Sequence, residues 1–211
     1  MAQLLADPTT WTQVVTLGRT PLADLPPAYA VSVDLARCEA EQRLVQKVVD
    51  MDALETRSAD FAGAEAVFVT LGTTRSAAGS ADAYRRIDLG FVDKAAAAAK
   101  AASVPQFLLL TSKGANARVW HADSALFHSL FYMHVKGAAE EAAAAHGFPH
   151  FSAFRPGMLD RGAGMASRSW GESLAMRLLP TTHVADVARA MIATAKRNAG
   201  APAAPTAVYE L

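Results

Sequence analysis

PQFLLLTS, residues 105–112, is the stretch on which the fold turns. Its centre, FLLL, is apolar in both alternating positions, so a strand built from it needs cover on both faces, as the strands of a parallel sheet have. Thr111 and Ser112 close it with polar groups at the carboxyl end, where sheets of that kind carry their sites. Working outward, WTQVVTL (11–17), RLVQKVV (43–49), AEAVFVTL (64–71) and PHFSAFRP (149–156) read as further strands, mostly apolar on both faces. TAVYEL at the end reads as a short last strand.

Between the strands lie segments rich in strong helix formers. ADAYRRIDLGFVDKAAAAAKAA and HSLFYMHVKGAAEEAAAAHG have alanine faces small enough to lie close to a sheet, and the second stops at Gly147 and Pro149. THVADVARAMIATAKRN repeats apolar residues at helical spacing, from Val184 and Val187 to Met191. Alternation of this kind predicts an α/β fold, a Rossmann-like doubly wound parallel sheet with helices on both faces, as one domain over 1–211. Residues 76–83 read as a flexible loop, and 161–182 as a candidate substrate lid.

The chain has 211 residues, 52% of them hydrophobic, enough for a full core. Its 20 basic and 20 acidic residues balance, which argues against a nucleic-acid partner, since phosphate binding favours a clustered basic excess. The single Cys38 cannot form an internal disulfide, fitting a reducing compartment. No run is long and apolar enough to span a bilayer, and the first residues lack the basic and apolar regions of a signal peptide, so a soluble intracellular protein is expected.

A cofactor-binding sheet normally opens with a strand and a Gly-rich turn whose amides hold a pyrophosphate. No such turn is found: LGTTRSAAG comes after a later strand at the wrong spacing, and Gly18 runs into Arg19, Thr20 and Pro21. AQLLADP instead looks like the tail of the helix that should come after that turn, which makes VVTLGR the second strand. At its end an acidic residue would bind a ribose 2′-hydroxyl, whereas Arg19 can hold a 2′-phosphate and so favours NADP; a solvated arginine at a strand end is the plainer alternative. Asp50 and Met51, after the third strand, would sit beside an adenine, although Asp50 or Asp52 could equally cap the next helix. Leu71, Gly72 and Thr73 supply a turn where a backbone can approach a ligand closely, or a plain turn.

Tyr132 and Lys136, four apart, share one helix face. The pair alone is a weak signal; with Ser112 at a strand end the three form a known catalytic constellation. An ammonium beside a phenol stabilises the phenolate, so Lys136 would activate Tyr132 and grip the nicotinamide ribose. Tyr132 would then give a proton to a carbonyl oxygen that Ser112 orients. Alternatively Tyr132 packs on the sheet with Lys136 in water. His121, His128 and His134 cluster without metal-ligand spacing, so no metal is expected. Lys113 lacks the preceding glycine of a phosphate loop. Pro156 and Gly157 form a rigid turn near the nicotinamide end, or a turn and nothing more.

VVTLGR, VFVTLGTTRSAAG, FLLLTSKGA, YMHVKG and FSAFRPGMLDRG, in this order over nearly the whole chain, resemble the Tat-interactive-protein-like oxidoreductases, an atypical branch of the short-chain dehydrogenase/reductase superfamily. The resemblance implies catalytic Ser112, Tyr132 and Lys136, Arg19 at a 2′-phosphate, and NADPH as cofactor; the residues themselves suit a small-molecule carbonyl or hydroxyl substrate, which the resemblance does not fix. It also implies protein partners in transcription and nuclear transport, and so a cytoplasmic and nuclear location. The departure is at the front, where the family's first strand and GxxGxxG turn precede the region that begins here, so the sequence is expected to be truncated or degenerate. That strand is central in the family's sheet, and its aliphatic side chains would contribute about 10 kcal/mol. Without it, the second strand must pair with the fourth or the sheet must keep a gap. A non-catalytic regulator on the same scaffold, binding protein partners, is the alternative that the missing turn favours.

Overall fold

The computed structural model describes residues 1–22, 33–123, 128–160 and 181–211. They fall into two compact units, residues Met1–Met51 with Met158–Ile192, and Asp52–Gly157 with Ala193–Leu211.

The first unit opens with a short helix, α1 (Ala2–Leu5), which buries Leu4 and Leu5. No strand forms near Met1; the helical tail expected of AQLLADP is what is found. Strands β1 (Val14–Gly18) and β2 (Leu44–Val48) pair in parallel, from Val14 opposite Leu44 to Gly18 opposite Val48. Helix α2 (Leu35–Ala40) begins where the Asp34 carboxylate accepts from Arg37 N at 3.0 Å, a side-chain cap, and it buries Leu35 and Cys38. The expectation of strands covered on both faces fails here. Val15 is 40% and Val48 60% exposed, because a two-stranded ladder has few neighbours to cover it. The first strand is also shorter than read, starting at Val14 rather than Trp11. A short parallel pair, β6 (Met158–Asp160) with β7 (Thr181–His183), belongs to this unit too.

The second unit holds the larger sheet, β3 (Ala66–Val69), β4 (Gln106–Leu110), β5 (His150–Arg155) and β8 (Ala207–Glu210), in the order β3-β4-β5-β8 and parallel throughout. β4 and β5 are the inner strands, and both are almost wholly buried, as FLLL and FSAF require. Phe107 stacks on Phe148 with centroids 4.8 Å apart and on Phe151 at 6.3 Å. Among the described residues no strand pairing joins this sheet to the β1–β2 ladder, so β1 does not pair with β3.

Two turns precede β3 as 3-10 helix, Met51–Thr56 and Ser58–Phe61. After β3, the segment read as a flexible loop is instead two short helices, α3 (Arg75–Ala78) and α4 (Ala81–Arg85). Thr74 Oγ1 accepts from Ala77 N and Ser80 Oγ from Ala83 N, both at 3.1 Å, so each start is capped; Gly79, at φ +83°, makes the left-handed stop between them. α4 runs through a π turn, Arg86–Gly90, into α5 (Phe91–Ala101). Next come α6 (His128–Ala145) and α7 (Val184–Asn198). The alanines behave as read: Ala95, Ala96, Ala98 and Ala99 of α5 and Ala139 and Ala143 of α6 are buried. No described helix is long and apolar enough to cross a membrane. The lid expected over 161–182 lies outside the described residues, except for Thr181 and Thr182 in β7.

Candidate active site

The sheet register brings the carboxyl ends of three adjacent strands together in the second unit. Leu71, Gly72 and Thr73 come after β3, Thr111 and Ser112 after β4, and Pro156 and Gly157 after β5. Lys113 N donates to Pro156 O at 2.8 Å and Thr111 N to Phe154 O at 2.8 Å, tying the second end to the third. Gly157 N donates to Leu211 O at 3.1 Å, which fixes the Pro156 turn against the final strand.

The turn after Ser112 is fastened to α6. Asn116 N donates to Met133 O at 2.9 Å, and Gly114, at φ +81°, lies against the Met133 side chain. Gly137 makes the closest approach: a Cβ there would stand 2.2 Å from Ala117 N. Only glycine fits beside that backbone. The segment carrying Ser112 is therefore locked onto the helix that carries Tyr132 and Lys136.

Ser112 is 8% exposed, and its Oγ has no hydrogen-bond partner among the described residues. A buried hydroxyl left unpaired is costly, and the Ser112 Oγ keeps its hydrogen-bonding capacity for a group beyond the described residues. Lys136 is 6% exposed and its Nζ lies 2.6 Å from Asp88 Oδ1, an ion pair off the ideal hydrogen-bond direction. The same Nζ is 6.0 Å from the centre of the Tyr132 ring, so the two groups do share a face. Tyr132 is half-buried, and its ring centre is 6.3 Å from that of the fully buried Tyr84. Burial first, then the Asp88 charge and then Tyr132, pushes the Tyr84 hydroxyl above the usual phenol range. Tyr84 stays protonated, whereas Tyr132 faces the ammonium.

Asp88 was not legible as a site residue. Its carboxylate is completely buried; one oxygen meets Lys136 and the other accepts from Thr73 N at 2.9 Å. A lone acid in an alanine-rich helix reads as a solvated face, and the only signal was its spacing, four residues after Tyr84.

The remaining expected residues lie in the first unit. Arg19 directly succeeds β1 and is exposed, Asp50 is exposed after β2, and Met51 is buried at 6%. Asp52, which belongs to the second unit, is ion-paired with Arg86 of that unit, and its carboxyl is held below the usual range by that hydrogen bond. Among the described residues no group of three potential metal ligands occurs. His121 and His134 do meet, as stacked rings 3.7 Å apart.

The NAD(P)H-binding family matches residues 30–198. Protein HTATIP2 of Rattus norvegicus is 38% identical over 121 residues, covering 57% of this chain and 46% of its own. The mitochondrial protein FMP52-1 of Scheffersomyces stipitis is 46% identical over 94 residues, 44% of this chain and 38% of its own. The chain thus spans less than half the length of these curated relatives. Among solved structures, DesIV of Streptomyces venezuelae, a dTDP-glucose 4,6-dehydratase with NAD bound, aligns at TM-score 0.67 and 19% identity over 99% of this chain and 69% of its own. ChuY, an anaerobillin reductase of Escherichia coli O157:H7, aligns at TM-score 0.57 and 19% identity over 99% and 89%. At such identities the likeness is one of fold.

Proposed function

The chain belongs to the NAD(P)H-binding family, on the atypical short-chain dehydrogenase/reductase branch, and from that premise we propose that it is an NADP-dependent oxidoreductase acting on a small carbonyl or hydroxyl substrate. The observation that carries this reading is the unpaired Ser112 Oγ, buried at the end of β4 in the same unit as Tyr132 and Lys136. These residues fit the nicotinamide end of a dinucleotide. Lys136 has N–H groups to offer a ribose diol, and Gly72 lets the backbone run against that lysine, 3.5 Å from where a Cβ would stand. Pro156 and Gly157 would border the ring, Leu71 and Thr73 the adjoining phosphates, Asp50 and Met51 an adenine, and Arg19 a 2′-phosphate.

When bound, the reduced dinucleotide supplies the hydride. The chain's own groups do the rest. Ser112 Oγ–H donates to the substrate carbonyl oxygen and fixes its direction. Tyr132 gives that oxygen a proton as negative charge gathers there, and Lys136 stabilises the phenolate that is left. In the reverse direction the same phenolate takes the hydroxyl proton.

Titration of the purified chain with NADPH, and with NADH as control, tests the cofactor. Saturable binding that favours NADPH supports the reading. A folded chain that binds neither would instead favour a scaffold for protein partners. For the chemistry, Tyr132→Phe should lower kcat by about 10²- to 10⁴-fold, the worth of a positioned acid, while cofactor affinity holds. Equal turnover by the two proteins would remove Tyr132 as proton donor. The location belongs to the same proposal, cytoplasmic with access to the nucleus; the fungal relatives are named mitochondrial, so cell fractionation decides.

A further inference from the structure

Asp88 sits where the helix is irregular. α4 and α5 would be one continuous helix but for the π turn Arg86–Gly90, which adds a residue to one turn and rotates α5 by about 100° relative to a regular helix. Such turns cost hydrogen-bond geometry and recur at functional sites. This one carries the single fully buried carboxylate among the described residues.

That carboxylate bridges two groups that the functional reading assigns to cofactor binding. Oδ2 accepts from Thr73 N at 2.9 Å, in the turn after β3, and Oδ1 lies 2.6 Å from Lys136 Nζ on α6. Gly72 lies against both, since a Cβ on it would be 3.5 Å from Nζ and 3.6 Å from Oδ1. An ion pair buried this deeply is poor evidence for stability, because desolvation of the two charges offsets most of their attraction. What it fixes is position. An ammonium has three N–H donors, and an ion pair off the hydrogen-bond direction fixes where Nζ stands while leaving its N–H groups for a ligand.

We propose that Asp88 is the positioning residue for Lys136, holding its ammonium against the 71–73 turn so that its N–H groups face the nicotinamide ribose diol. The role rests on the cofactor reading above. It makes the lysine's grip on the ribose and the conformation of the turn a single unit: displacing the carboxylate loosens both. It also separates the two ends of the cofactor. Asp88 acts on the ribose that NADPH and NADH share, not on the 2′-phosphate that distinguishes them.

The test uses the full chain, with thermal melting to confirm folding, and reads two quantities for Asp88→Asn. First, acetylation of the Lys136 amine by acetic anhydride, measured by mass spectrometry without cofactor, should run about tenfold faster, since an amine no longer held by the carboxylate is free to leave its buried position. Second, NADPH and NADH should both bind about tenfold more weakly, the worth of a charge-assisted hydrogen bond. Unchanged acetylation, or unchanged affinity in a folded variant, overturns the positioning role. If Asp88→Asn does not fold, Asp88→Glu retains the charge but moves the carboxylate. It should keep Lys136 protected while weakening both dinucleotides, and full affinity would overturn the role. A wild-type chain that binds neither dinucleotide would sink the functional reading and this role with it. A wild-type chain that binds, beside an Asp88→Asn protein that binds as well, would sink this role alone.

Discussion

The β1–β2 ladder and the inner strands β4 and β5 of the larger sheet are both parallel and both rich in apolar residues, yet they bury them to very different extents. Val15 and Val48 of the ladder are 40% and 60% exposed, whereas Phe107, Leu108 and Leu109 of β4 are at most 1% exposed. The difference teaches that an apolar strand states only a need for cover; neighbours on both edges and both faces supply it. β4 has β3 and β5 beside it, aromatic rings from Phe148 and Phe151 over Phe107, and buried alanines in the helices of its unit. Among the described residues the ladder's sheet has only its two strands. It is in the well-covered unit that Ser112, Tyr132, Lys136 and Asp88 are held, because fixed geometry needs rigid support.

The sharpest way to break this contrast is a pair of truncations. Phe107→Ala should destabilise the protein by about 3–5 kcal/mol in urea denaturation, the cost of emptying a fully packed site. Val48→Ala should stay within about 0.5 kcal/mol, as at an exposed position. If Val48→Ala cost as much as Phe107→Ala, the open face of β2 would have to be covered in solution, and the contrast would fall.

Glycines sharpen the contrast at a smaller scale. Gly137→Ala drives a methyl into the backbone at Ala117 and should cost about 1–3 kcal/mol as overpacking. Because that backbone continues from Ser112, catalytic turnover should fall with it. Gly18→Ala in β1 meets nothing nearer than Thr20 O at 3.4 Å, and should change stability by less than about 0.5 kcal/mol. Melting temperatures of the two variants check both. A neutral Gly137→Ala would mean that the 112–117 turn moves away from α6 at little cost.

These same positions explain what was legible in the sequence. FLLL had to be an inner strand, since nothing else covers four adjacent apolar residues, and Ser112 follows it into the buried end of the sheet. Tyr132 and Lys136 were legible because helical spacing fixes a shared face. Thr74 and Ser80 were legible in principle as N-caps, but the glycine and serines of the segment read first as a loop. Asp88 was hidden, since its burial depends on a π turn and on a lysine far along the chain, and no local pattern encodes either. The exposure of Val15 and Val48 was hidden for the complementary reason, because cover is a property of neighbours.

Arg19 tests whether the first unit takes part in cofactor binding at all. Arg19→Ala should weaken NADPH by about tenfold, or 1.4 kcal/mol, and leave NADH nearly unchanged, because the guanidinium would meet only the 2′-phosphate. Calorimetry with each dinucleotide separates the cases. Equal losses for both would move Arg19 from recognition to folding.

The smallest effect expected is a pH dependence from His134. Burial, then the facing His121 ring and Arg85, holds its imidazole below the usual value, while the Ala117 backbone and Glu141 oppose this. The folded state thus disfavours the charged form, and the unfolded chain binds the proton first. Stability is therefore full above about pH 6.5, falls as pH drops through that value, and levels off once the folded-state imidazole is protonated too. Asp52, Glu55 and Asp123 have lowered values set mainly by hydrogen bonds to Arg86, Lys94 and Arg85, so their contribution is lost only further down, as pH falls through the carboxylate range. Urea denaturation between about pH 5 and 8 therefore sets these carboxylates aside and reads the histidines together with the Met1 amino group, whose value burial lowers. His134→Gln should flatten the slope over that window; an unaltered slope would assign it to another histidine or to the Met1 amino group, and the stack of His134 on His121 would then carry no pH-dependent stability.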